Sequence, residues 1–341
     1  MHRLMFRLTG CIAGLVLVVL PVAAQAPAVT GAPRCSGQDL LQEIREQRPE
    51  DWARISEIAE GTINSRSVFW KIEGPKGPPS HLFGTIHLSD DRINALPVAV
   101  QLALGSAQKV ALEVADLSPE ALGLAFAKLQ SMFMFADGRS LETILAPEEQ
   151  TVARRAIEKV GMPGAAIGTL KPWVVSMTLS LSDCERRRSG AGLRPLDLRL
   201  GDNARQRGIP IVGLETLEDQ LRAMAAVPDD DQIVVLRAGL KLYDRTDDLL
   251  ETMVRRYLAR ELGLIWPMQE EIWRHAGFKP SAFASFQHEL VTVRNVRMRD
   301  QALPLLAEGG VFIAVGALHL PGAAGLVELI RKSGYTVTPG E

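Results

Sequence analysis

Cysteine is scarce in this chain of 341 residues, with three in all, Cys11, Cys35 and Cys184. None stands at Cys-x-x-Cys spacing from another, which excludes a zinc ribbon and a dithiol redox site. An excess of basic charge is also missing, since 38 Lys and Arg face 40 Asp and Glu. A nucleic-acid-binding surface would call for a clear basic surplus, so nucleic acid is not an expected partner. The longest apolar segment, Ile12 to Val22, falls short of the roughly 20 residues that a membrane span needs. There is no Gly-x-Ser-x-Gly nucleophile elbow, phosphate loop or dinucleotide fingerprint. His288-Glu289 opens like the zincin His-Glu-x-x-His helix, but the fifth position is Thr292, so that site is absent.

What is present begins with a leader. Arg3 and Arg7 precede the apolar segment and small residues Ala23-Ala24-Gln25-Ala26 follow it, the order of a secretory signal peptide. Residues 1–24 are expected to be removed, leaving an exported protein, periplasmic or secreted, with no stable membrane span. Leu8-Thr9-Gly10-Cys11 has the composition of a lipoprotein acylation box but comes before most of the apolar segment, which argues against lipidation. Residues 25–38, rich in Pro, Gly, Ala and Ser, read as a flexible linker, and 39–341 as a single domain. Cys35 and Cys184 then remain. In an oxidising compartment they suit a disulfide, with a free, buried Cys184 as the alternative.

Apolar periodicity predicts a helix over Asp39 to Ile63 and a strand over Val68 to Ile72. A Pro- and Gly-rich hairpin loop leads to a second strand at Leu82 to Ile86. A helix over Val98 to Ala107 and a strand over Lys109 to Val114 follow. Residues about 117–208 read as a large helical insertion, in which Arg186-Arg187-Arg188 looks like a solvated loop. A strand at Ile209 to Glu215, helices over Leu217 to Ala226, Asp230 to Arg260 and Ala282 to Leu306, a core strand at Val311 to Val315, a closing helix and an edge strand complete the chain. Strands alternating with helices imply an α/β fold, a central mixed and largely parallel sheet flanked by helices.

Two of these strands end alike, as Phe83-Gly84-Thr85-Ile86-His87 and Val315-Gly316-Ala317-Leu318-His319, in a chain with six histidines. Two others end in Glu113 and Glu215. Sites in open α/β sheets form beyond the carboxyl ends of the strands, so neighbouring parallel strands would bring two imidazoles and two carboxylates together. That donor set suits zinc, manganese or cobalt, with a spare carboxylate as general base. Glu113 stands in an apolar strand, where an unpaired carboxylate would be costly. Glu215 sits at a strand-to-helix junction, where stabilising the helix N-terminus explains it nearly as well. Arg294, beside Asn295, could bind a substrate carboxylate or hold either glutamate, but on spacing alone it reads as part of a solvated helix face. His2, His81 and His275 have no matched context and read as incidental.

At these residues the chain resembles the TraB/GumN family, related to the Tiki proteins. The resemblance rests on Leu82 to Leu88, Leu112-Glu113, Gly213-Leu214-Glu215-Thr216 with Gln220, Arg294-Asn295 and Val315 to Gly322. It implies a sheet-centred α/β fold shared with erythromycin-esterase-like and ChaN-like proteins. It also implies a metal-dependent hydrolase acting on peptide or protein substrates, with His87 and His319 as metal ligands and Glu113 as ligand or base. Glu215, Arg294 and Asn295 would support that site. Val293 stands where the family often has an acidic residue. ChaN-like relatives bind haem, so a haem- or metal-binding envelope protein without hydrolytic activity is the alternative that the resemblance carries.

Overall fold

A computed structural model describes residue 33 and residues 35–340. The signal peptide, the acylation box and most of the linker lie outside them. Six strands form one sheet in the order β4-β3-β5-β2-β1-β6, with β1 at Phe69–Glu73, β2 at Ser80–Thr85, β3 at Lys109–Val114, β4 at Ile211–Glu215, β5 at Val311–Gly316 and β6 at Thr336–Pro339. β4, β3, β5 and β2 run parallel, while β1 runs against both its neighbours. This is the expected α/β class. Every residue of β5 is buried, as befits a central strand covered on both faces.

Alternation along the strands feeds two cores. Val110 and Leu112 pack with Phe83, Phe312 and the helices Val98–Ser106 and Leu196–Gln206 on one face. Ala111, Ile313 and Val315 pack on the other against Met298, Leu306 and Val327, which belong to helices Arg294–Glu308 and Leu326–Lys332. A third core joins the helices between Pro119 and Leu179 to Leu221, Leu236 and Leu240.

The two histidine-bearing strands, 231 residues apart in sequence, are direct neighbours. Thr85 pairs with Gly316, and Leu112 pairs with both Ala314 and Gly213, so the carboxyl ends of all four parallel strands finish at one level. Close packing at Gly84 allows this, because a Cβ there would come 2.6 Å from Leu320 Cδ1 and 3.0 Å from Ala317 Cα. Tyr257 donates to the Gly84 carbonyl at 2.7 Å and pins the same strand from above.

Four sequence expectations need correction. The first helix is two, Leu40–Gln47 and Pro49–Gly61, because Arg48 precedes a proline and leaves the helical region at φ −138°. A 3₁₀ turn at Tyr243–Arg245 interrupts the Asp230 to Arg260 helix. The Ala282 to Leu306 helix is Pro280–Gln287, a π-helical turn at His288–Val293, and Arg294–Glu308. Arg186-Arg187-Arg188 is helical (Asp183–Gly190), and Arg188 is buried between Glu185 at 2.8 Å and Asp90 at 3.1 Å. Glu185 in turn accepts from the backbone N–H and hydroxyl of Ser89, which fixes the chain just past His87. Next to it, Cys184 is bridged to Cys35.

Candidate metal centre

The level strand ends bring His87, Glu113 and His319 together. His87 Nε2 lies 4.0 Å, and His319 Nε2 3.8 Å, from the same oxygen, Glu113 Oε1. That oxygen also accepts the Gly316 N–H at 2.6 Å. The other carboxylate oxygen accepts from Arg294 Nη2 at 2.8 Å and Gln220 Nε2 at 2.9 Å. Burial opposes ionisation of Glu113, but the facing His319 and His87 rings, Arg294 and the Gly316 N–H outweigh it and hold the carboxyl at about 2.

Neighbours orient each imidazole. Asn295 donates its amide hydrogens to the carbonyls of Ala324 (2.8 Å) and His319 (3.3 Å), which leaves its Oδ1 as the partner of His319 Nδ1 at 2.6 Å. The ring nitrogen facing an acceptor must carry the hydrogen, so His319 turns an Nε2 lone pair toward Glu113. Burial, reinforced by Arg294, pushes its pKa down to about 4 despite Glu113, so the ring is neutral at pH 7. His87 is oriented by Asp197, whose Oδ2 lies 2.7 Å from Nδ1. Asp197 raises the pKa of His87, although the ring is 61% exposed and water screens that pull. The second oxygen of Asp197 accepts the Thr85 hydroxyl.

Arg294 is not on a solvated face. Its side chain is 12% exposed and bridges both glutamates, with Nε 2.9 Å and Nη2 2.7 Å from Glu215 Oε2. Glu215 has no exposed side-chain surface and points at Arg294, not into the cleft; burial raises its pKa against the pull of Arg294. It does not cap the following helix, because Thr216 and Asp219 form the capping box there. The six expected residues therefore fall into two layers. His87 and Glu113 line the cleft with His319 buried beside them, while Arg294, Asn295 and Glu215 hold them from behind.

Sequence reasoning missed Asp197. It lies in the first turn of Leu196–Gln206, where an acidic residue is ordinarily explained by the helix dipole. Its carboxylate–histidine arrangement recurs behind metal-bound imidazoles, where the outer carboxylate fixes the tautomer.

The donor types, two imidazoles and a carboxylate, suit a divalent ion. His319 Nε2 and Glu113 Oε1 are electron-rich atoms that face each other without a hydrogen between them. Ligand bonds of about 2.0–2.2 Å let one ion serve donors up to about 4.4 Å apart, which covers each spacing to Glu113, but the three donors do not all lie within 4.8 Å of one another, so the exposed His87 ring would have to turn inward to share one ion. A Cβ on Gly316 would fill this space, 3.2 Å from Glu113 Oε1 and 3.5 Å from His87 Nε2.

One further group has metal-type donors. Asp51, Glu271 and His275 place ligand atoms within 4.8 Å of one another, so His275 is not incidental. Cations already occupy these carboxylates, Arg54 bonding Glu271 at 2.9 Å and Arg274 bonding Asp51 at 3.1 Å. The cluster reads as an ion-pair network that joins helix Pro49–Gly61 to helix Ile265–His275.

Comparison with known proteins gives the family. The model of the TraB/PrgY/gumN family matches residues 68–339, from β1 to the end of β6. The chain belongs to the TraB/PrgY/gumN family. Within it, the chain is 26% identical over 264 residues to the uncharacterized protein YbaP of Shigella flexneri, covering 75% of this chain and 89% of that one. The identity to YbaP of Escherichia coli K12 is also 26%, over 258 residues, 74% of this chain and 87% of that protein. Metalloprotease TIKI2 of Danio rerio is 23% identical over 320 residues, 80% of this chain and 60% of its own length. No solved structure matches the chain.

Proposed function

We propose that this family member is an exported, metal-dependent hydrolase that cleaves peptide bonds. The observation that carries the reading is the convergence of two histidine Nε2 atoms on one oxygen of Glu113, each ring locked in orientation by its own partner. The similarity to proteins named metalloproteases supports the same class. His87, His319 and Glu113 would hold the ion, with manganese, cobalt or zinc suited to this mixture of nitrogen and oxygen. When bound, such an ion supplies Lewis acidity toward a carbonyl and toward water.

The chain's own residues do the rest. Arg294 and Gln220 occupy one oxygen of Glu113 and keep the other turned to the cleft. Asp197 and Thr85 keep His87 Nδ1 protonated and its Nε2 outward. Glu215 and Asn295 act through Arg294 and His319, and are positioning residues. The cavity beside the centre is about 290 Å³. Export agrees with the Cys35–Cys184 disulfide, a bond that persists in oxidising compartments. Among the described residues, no helix is long and apolar enough to cross a membrane.

The test is hydrolysis of a mixed peptide library by the metal-loaded protein, with His87→Ala and His319→Ala as comparisons. Cleavage that needs added metal and both histidines is expected. Undiminished cleavage by the double variant would contradict the assignment.

A further inference from the structure

We infer that the cavity beside Glu113 and His87 is a pocket for one large apolar side chain of the substrate, and that Gly201 sets its depth. This deepens the hydrolase reading and rests on it for the identity of the substrate. The cavity opens where strand β3 leaves the sheet and helix Leu196–Gln206 crosses it. Of its polar groups, His87, Glu113 and Gln220 belong to or touch the candidate metal centre, Asp197 holds His87, and Arg205 is the fifth. The remainder is lined chiefly by Leu112, Leu117, Leu122, Leu198 and Pro195. A substrate that seats an apolar side chain among them has its backbone beside the two groups proposed to act on it.

At about 290 Å³ the space admits a side chain of leucine, methionine or phenylalanine size. Arg205 donates to the Ala115 carbonyl at 3.0 Å and to Asp202 at 3.3 Å, which anchors it. Gly201 forms part of the wall on the helix side. A Cβ there would lie 3.2 Å from Leu112 Cδ1 and 3.4 Å from Arg205 Nη1, so a longer side chain would project into the cavity.

The experiment separates the pocket from the chemistry. Saturation-transfer NMR on the mature, disulfide-bonded chain without added metal compares N-acetyl-leucinamide, N-acetyl-phenylalaninamide and N-acetyl-glycinamide. Signal is expected for the two apolar amides alone and should be lost in Gly201→Leu and in Leu117→Trp. Equal signal from the glycine compound, or full signal in folded samples of both variants, overturns the proposal. Should Gly201→Leu fail to fold, Leu117→Trp decides. A second arm measures kcat/KM on the metal-loaded protein for peptides with leucine or alanine at the selected position. Discrimination of about 10–200-fold is the scale of a single methylene in an apolar pocket, so the leucine peptide should win by at least about tenfold. That ratio should fall toward one in both variants. Apolar binding without any cleavage would uphold the pocket and refute the hydrolase reading. Cleavage without apolar preference would do the reverse.

Discussion

Replacing Arg294 with Met tests the architecture behind the centre most sharply. One guanidinium is shared by two carboxylates whose side chains are 9% and 0% exposed, Glu113 and Glu215. Removing the cation from such a buried arrangement costs about 3–5 kcal/mol, because both carboxylates lose their shared partner and Glu215 keeps only Arg297 at 3.7 Å. The cost should depend on pH, with a sign that follows from each glutamate. Burial already raises the pKa of Glu215 above 4.5 with Arg294 present, and the variant raises it further. A carboxyl raised in this way favours the fold fully below 4.5 and loses that contribution as pH rises through its folded pKa. Glu113, held at about 2, contributes stability above 4.5 that is lost as pH falls toward 2, and the variant weakens that contribution. Both effects make the deficit of Arg294→Met largest at neutral pH and smaller near pH 4. Urea unfolding followed by circular dichroism at pH 7 and pH 4 measures it, and Glu215→Gln in the Arg294→Met background should recover part of the loss. A deficit below about 1 kcal/mol at pH 7, or one that grows on acidification, would refute the reasoning.

Three more outcomes follow from particular contacts. Asp197→Asn removes the carboxylate behind His87 and should weaken metal binding about 10–100-fold, read by titration calorimetry, with little change in unfolding. Gly316→Ala fits its backbone, at φ −52°, but its methyl would enter the space among Glu113, His319 and His87; metal binding should weaken in the same assay while the unfolding midpoint holds. Cys35→Ser with Cys184→Ser opens a link between residues 149 apart and should cost about 2–5 kcal/mol in urea unfolding, a loss reproduced by reducing the wild-type chain.

The strands were legible because each is a short apolar run closed by a turn residue, and the four polar groups at their ends stood out against that background. Their order in the sheet was not legible, since β5 inserts between β2 and β3 only through contacts distant in sequence. The roles of Glu215 and Arg294 could not be read from local context for a related reason. Glu215 has a local explanation at a helix start, and only the three-dimensional packing shows that its partner lies 79 residues away. Asp197 carried no distinguishing signal, because an acid in a first helical turn is common and its partner is 110 residues distant. Helix ends failed where a local conformational preference beat periodicity, at Arg48-Pro49, at Tyr243 and in the π turn before Arg294.

Metal stoichiometry addresses the central claim most directly. The purified mature chain, dialysed against manganese, cobalt or zinc and then against metal-free buffer, is analysed by inductively coupled plasma mass spectrometry beside His87→Ala with His319→Ala and beside Asp51→Asn with His275→Ala. One ion per chain is expected in the wild type and in the Asp51 and His275 variant, and none in the His87 and His319 variant. Retention of the ion without His87 and His319, or its loss only without Asp51 and His275, would contradict the account.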